Sequence, residues 1–144
     1  MTISSQQPGS RQPIVIDTNI VLDIFVFNDA AALPLREALN TGQLDWLATQ
    51  AMRDELTRVL AYPQIVPRLA FYRLTAEDVL AGFDRHARLV NTAPRASVIC
   101  SDADDQKFID LAVVHKALLL SKDKAVISML KRLLAHGVLA LIAI

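Results

Sequence analysis

Two aspartates of this chain stand where short apolar runs end: Asp17 after Ile14-Val15-Ile16, and Asp123 just past Leu118-Leu119-Leu120. In open parallel sheets, ligands bind outside the carboxyl ends of the strands, where the strand order reverses. If both runs are strands, both carboxylates project into that crevice. Asp105 closes the acidic run Ser101-Asp102-Ala103-Asp104-Asp105 ahead of a helix, and Glu55 sits on a helix flank, so four acids from separate segments can converge. Four packed anions repel, so one must take a proton or a countercharge must enter. A divalent cation supplies that charge, and oxygen ligands select Mg2+ or Mn2+ over zinc. Such a cation can polarise a phosphoryl oxygen and lower the pKa of a bound water. Singly, each acid has a plainer explanation: Asp17 can begin a turn, Glu55 can be a solvated helix residue, and Asp102, Asp104, Asp105 and Asp123 can cap helices. Their joint order is what carries weight.

The elements that must position these acids are legible from periodicity and punctuation. Residues 1–13 are polar, with Pro8, Gly9 and Pro13, and read as a flexible lead-in, leaving 14–144 as one domain. Residues 14–16 form a β-branched run apolar on both faces, the mark of a central parallel strand. Residues 30–40 read as a helix with Pro34 in its first turn and Gly42 as a left-handed stop. Residues 44–48 read as a strand, and Thr49 caps a helix in which Met52, Leu56, Val59 and Leu60 recur at helical spacing up to Tyr62-Pro63. Thr75 and Asp78 form a capping box for a helix expected to reach about Leu89. Residues 98–100 are expected to be briefly extended. A helix carrying Phe108, Ile109, Ala112 and Val113 inward follows, then a strand at 118–120, a helix over 124–136 stopped by Gly137, and a last strand over 138–142. Alternating strands and helices imply an α/β fold of three layers, α/β/α, with a central, mostly parallel sheet.

Composition bounds the partners. The 144 residues suit one domain, and 53% hydrophobic with 21% charged residues excludes a disordered chain. No apolar run approaches the ~20 residues of a membrane helix, and the first residues lack the apolar core of a secretion signal, so the expectation is a cytoplasmic protein with no membrane partner. Cys100 is the lone cysteine, which rules out an intramolecular disulfide and a thiolate cage. The zero net charge argues against a protein that coats nucleic acid by bulk charge. With four acids committed to metal, however, eleven others face fifteen Lys and Arg. Seven of the ten arginines fall between Arg53 and Arg95, where they can serve either as solvated helix faces or as phosphate forks.

Val15-Ile16-Asp17-Thr18-Asn19-Ile20-Val21-Leu22 resembles the opening motif of PIN-domain proteins, a hydrophobic strand closed by Asp-(Ser/Thr)-Asn. Met52-Arg53-Asp54-Glu55-Leu56 resembles the family's second acidic motif, Asp105-Gln106-Lys107-Phe108 the third and Leu120-Ser121-Lys122-Asp123 the last. The resemblance runs from about Ile14 to Ile142. It is strongest to the bacterial branch classed as VapC-like toxins of toxin–antitoxin pairs, whose third motif is Asp-x-Asp-Asp-x-Lys-Phe. It implies that Asp17, Glu55, Asp105 and Asp123 are catalytic acids holding Mg2+ or Mn2+, with Asp105 preferred over Asp104 for its spacing to Phe108 and Ala112. Thr18, Asn19 and Ser121 would bond to those carboxylates or to water on the metal. Lys122 departs from the usual residue before the last Asp while keeping positive charge near a phosphate. The implied activity is metal-dependent hydrolysis of RNA by a toxin that forms a homodimer and binds a small antitoxin. His86, His115 and His136 have no place in this scheme.

Two rivals differ in class. A receiver-like Mg2+-binding signalling domain needs an acidic pair before its first strand's terminal Asp, and residues 14–16 offer none. A non-catalytic PIN-like module that only binds RNA or protein is disfavoured by the intact acids.

Overall fold

The computed structural model describes residues 11–144. Most of the lead-in assigned to 1–13 therefore lies outside the described residues, and the first strand, β1 (Gln12–Ile16), takes in its last two. Pro13 is tolerated there because pairing with the strand on one side begins only at Ile14, so its missing N–H removes no ladder bond. Ile14, Val15 and Ile16 are all buried. Successive strand residues point to opposite faces, so both faces of the sheet are covered.

From β1 the chain runs through α1 (Thr18–Phe25), a 3-10 turn at Ala30–Ala32, α2 (Leu33–Asn40), β2 (Leu44–Ala48), α3 (Gln50–Leu60), α4 (Val66–Phe71), α5 (Ala76–His86) and β3 (Ala87–Leu89). A second 3-10 turn at Ala103–Asp105 leads into α6 (Gln106–His115), then β4 (Leu118–Leu120), α7 (Lys124–Ile127), α8 (Leu130–Ala135) and β5 (Ala140–Leu141). The five strands form one sheet in the order β3-β2-β1-β4-β5, with every pairing parallel. The fold is thus α/β with a helix-flanked parallel sheet. No single helix among the described residues is long and apolar enough to cross a membrane.

The order places the topological reversal between β1 and β4. The chain first builds outward from β1 to β2 and β3, then returns to lay β4 and β5 on the other side. The Asp17 N–H donates to Leu120 O at 2.8 Å, tying the carboxyl ends of the two strands together. Over β2, Phe25 of α1 stacks on Trp46 with ring centres 6.2 Å apart, and Phe83 of α5 meets the same indole edge-on at 5.0 Å. Gly82 lets α5 approach, since a methyl there would lie 3.1 Å from the Phe25 ring.

The local punctuation behaves as its chemistry dictates. Thr49 accepts from the Met52 N–H, the Thr75–Asp78 capping box is complete, Pro34 lies at the start of α2, and Gly42 and Gly137 adopt positive φ. Four expectations need correction. The helix expected to reach Leu89 ends at His86, because residues 87–89 pair with β2 as an edge strand and Arg88 bonds Asp45 of β2 at 2.7 Å. Residues 98–100 are no strand. The Gln106 side chain donates to Val98 O and accepts from the Cys100 N–H, standing in for a neighbouring strand. The helix over 124–136 is two helices, broken where the Ser128 hydroxyl donates back to Ala125 O and Met129 is wholly buried. The last strand is also shorter than 138–142, spanning Ala140–Leu141.

Candidate metal centre

Asp17 leaves β1 as the residue preceding α1, and Asp105 precedes α6, yet neither side chain caps its helix. Both carboxylates are instead buried at the β1–β4 reversal, where they meet Asp123. One oxygen from each of the three lies within 4.8 Å of the others. Asp123 does cap α7, its Oδ1 accepting from the Ala125 N–H at 2.9 Å, and still joins the group. Ser121 orients the pair across the strands: its hydroxyl donates to Asp17 Oδ2 at 2.6 Å and accepts from the Asp123 N–H at 3.1 Å.

The trio is electrostatically unhappy by itself. Burial, opposed in part by the Ser121 hydrogen bond and reinforced by Glu55 and Asp123, raises the Asp17 pKa above its ordinary value. Burial first, then the charges of Asp17 and Asp123, push Asp105 up to about 7. Asp105 is only 6% exposed, and its Oδ2 finds no hydrogen-bond partner among the described residues. An orphaned buried oxygen costs about 1–3 kcal/mol or more. An all-oxygen group of anions with one oxygen unspent fits a hard divalent cation, which answers both the repulsion and the missing partner.

Glu55 faces the same cleft from α3 but is engaged apart from the trio. Its Oε2 accepts from the Thr18 hydroxyl at 2.5 Å, and its Oε1 accepts from Lys107 Nζ, which also donates to Asp104 O at 2.6 Å. The cleft has a volume of about 360 Å³ and is walled by Asp17, Glu55, Asp105 and Asp123 together with Thr18 and Asn19. Its polar lining and open shape suit a charged, extended ligand.

Residues 13–125 match the family model of the PIN domain, about four-fifths of the chain and a span that contains all four acids. The chain belongs to the PIN-domain family. No curated protein matches it in sequence. PIN domains are generally metal-dependent nucleases, and the acidic trio of this PIN domain fits a metal site.

Within the PIN domain, the structure brings Asp17, Asp105 and Asp123 into one group, with Glu55 on the cleft wall beside them. Asp105, not Asp104, occupies the buried position, and Asp102 caps the turn by accepting from the Asp104 N–H. Thr18 and Ser121 hold carboxylates, while Asn19 lines the cleft as an exposed residue. Lys122 does not face the cleft as expected: its ammonium pairs with buried Asp23 at 2.5 Å, outside the acid group. Three of the seven clustered arginines are structural. Arg53 bonds Asp84, Arg88 bonds Asp45, and Arg68 lies over the Phe27 ring. Lys107 lies within the third motif, and its grip on Glu55 spans 52 residues of sequence that no local pattern could bridge.

Proposed function

We propose that this PIN domain is an endoribonuclease that hydrolyses RNA phosphodiesters with Mg2+ or Mn2+ held by Asp17, Asp105 and Asp123, and with Glu55 completing the wall of the site. The observation that carries this reading is the trio at the β1–β4 reversal, Asp17 and Asp105 buried and Asp123 half-buried, with Asp105 Oδ2 unpartnered among the described residues. When bound, a divalent cation supplies Lewis acidity toward the phosphoryl oxygen and a more acidic water. The protein's part is to hold geometry. Ser121 keeps Asp17 turned into the crevice, the α7 N-terminus fixes Asp123, and Thr18 with Lys107 holds Glu55 over the opening. In-line attack by water on the opposite side from the leaving oxygen would invert the phosphorus centre.

The likeness of the third motif to VapC-like toxins supports placing this nuclease in a toxin–antitoxin pair, as a homodimer in the cytoplasm whose cleft a small antitoxin covers. Light scattering tests the dimer, and a 15.9 kDa particle at all micromolar concentrations removes it. The function itself is tested by incubating the purified protein with a mixed RNA pool in Mg2+, in Mn2+ and in chelator, beside an Asp17→Asn variant. Cleavage should require metal and Asp17. Equal cleavage in chelator, or by the variant, defeats the reading.

A further inference from the structure

Six carboxylate residues face the cleft, and among the described residues lining it the sole cation is Arg58. A divalent cation in the trio and Lys107 on Glu55 cancel half of those charges, so a polyanion still meets net negative potential at the wall. Arg58 follows Glu55 by three residues on α3, which puts both on one helix face. Arg53, Arg88 and Arg68 have partners in Asp84, Asp45 and the Phe27 ring, whereas exposed Arg58, like Arg73, Arg85 and Arg95, makes no ion pair or side-chain hydrogen bond among the described residues; of these four only Arg58 lines the cleft. One helical turn further on, just past the end of α3, Tyr62 lines the same cleft with 43% of its surface exposed. Its hydroxyl has no partner among the described residues. A free guanidinium fork matches a phosphodiester, and an exposed aromatic ring beside it matches a base withdrawn from its own stack.

We propose that Arg58 and Tyr62 are the substrate-positioning wall of the cleft: Arg58 grips the phosphate adjoining the one that is cut, and Tyr62 stacks the flanking base. The assignment rests on the nuclease reading above and deepens it, since a stacked flanking base demands a single-stranded segment at the site. Neither residue touches the trio in this scheme, so metal binding should not depend on them.

Binding is read by fluorescence anisotropy of a labelled single-stranded RNA and of the same strand in a duplex, in Ca2+, with cleavage kinetics in Mn2+ alongside. Arg58→Ala should weaken single-strand binding about tenfold and flatten the plot of log Kd against log salt by about 0.7, the share of one phosphate contact. Arg58→Lys should recover part of the affinity and little of the cleavage rate, because the fork is lost. Tyr62→Ala should raise Kd and KM about tenfold for the single strand and leave the weaker duplex binding unchanged, while Tyr62→Phe stays near wild type. The Mn2+-induced rise in melting temperature should be the same in all four variants, which separates positioning from damage to the fold or metal site. Wild-type Kd and KM in both alanine variants would overturn the proposal, as would equal losses on single strand and duplex, or no RNA binding by the wild type. A wild type that binds RNA through Arg58 and Tyr62 but never cleaves would sink the nuclease reading and leave this wall standing.

Discussion

Asp105→Asn isolates the electrostatic cost of gathering the three carboxylates. The carboxyl is held at about 7 in the fold against an ordinary 3.8. Because the folded value is the higher one, the native state keeps its proton over roughly pH 4–7 while the unfolded chain has lost it, so metal-free stability falls as pH rises through that window and levels off above about 7. A shift of this size corresponds to about 4 kcal/mol at full value, and water entering from the open side of the cleft reduces it to about 2 kcal/mol. Asparagine keeps the shape, carries no charge, and can donate its amide N–H to Asp17 or Asp123. In chelator at pH 8 the variant should therefore melt about 7 °C above wild type, on the scale of a few degrees per kcal/mol for a chain of this length. At pH 4 the advantage should shrink to nearly nothing, since wild-type Asp105 is then protonated as well. Adding Mn2+ at pH 8 should reverse the order, because only wild type offers three anionic ligands to the cation. Melting curves at the two pH values, with and without metal, give all four numbers. A variant that melts below wild type in chelator at pH 8, or an advantage that does not change with pH, would refute the reasoning.

Ser121→Ala removes the hydroxyl that turns Asp17 inward, so Mn2+ affinity should fall about 10- to 100-fold by calorimetry while the fold survives. Lys107→Met leaves Glu55 with Thr18 alone; the chelated protein should lose about 1–2 kcal/mol in urea unfolding. The same substitution should tighten Mn2+ binding, because an uncompensated anion then faces the cleft. Gly82→Ala gains about 1 kcal/mol of helix propensity but presses a methyl onto Phe25, whose ring is packed against Trp46 and cannot yield freely; the net effect should be a loss of about 1 kcal/mol, read from the urea midpoint.

What was legible in the sequence was mostly local. Thr49, Thr75 with Asp78, Gly42 and Gly137 act on backbone groups within a few residues of themselves, and each does in the fold what its chemistry requires. Asp105 could be separated from Asp104 by its spacing to Phe108 and Ala112, because a helix face is a local property and the buried side of α6 faces the sheet. The segments at 87–89 and 98–100 depend on partners outside themselves, whereas the break in the last helix is made locally at Ser128. Residues 87–89 become a strand because the edge of β2 is free to pair, and residues 98–100 stay irregular because a glutamine side chain takes their backbone bonds. The pairings of Lys107 with Glu55 and of Lys122 with Asp23 belong to the same class, since ion pairs across a fold leave no periodic trace.

The hydrogen bond from Ser121 to Asp17 joins residues 104 apart in the chain, and β1 gains its β4 neighbour only across the same interval. During synthesis the N-terminal half can pair β1 with β2 and β3, but the other side of β1 stays bare until residues 118–120 arrive. Contacts of such long sequence separation form late, because the closure entropy must be met before they return any stability. A growing or prematurely ended chain that already carries Asp17, Glu55 and Asp105 therefore has no assembled trio, lacking both Asp123 and the strand that presents it. On the nuclease reading proposed above, cleavage is withheld from a nascent chain until residues 118–123 have been made, which protects the transcript being translated from its own product.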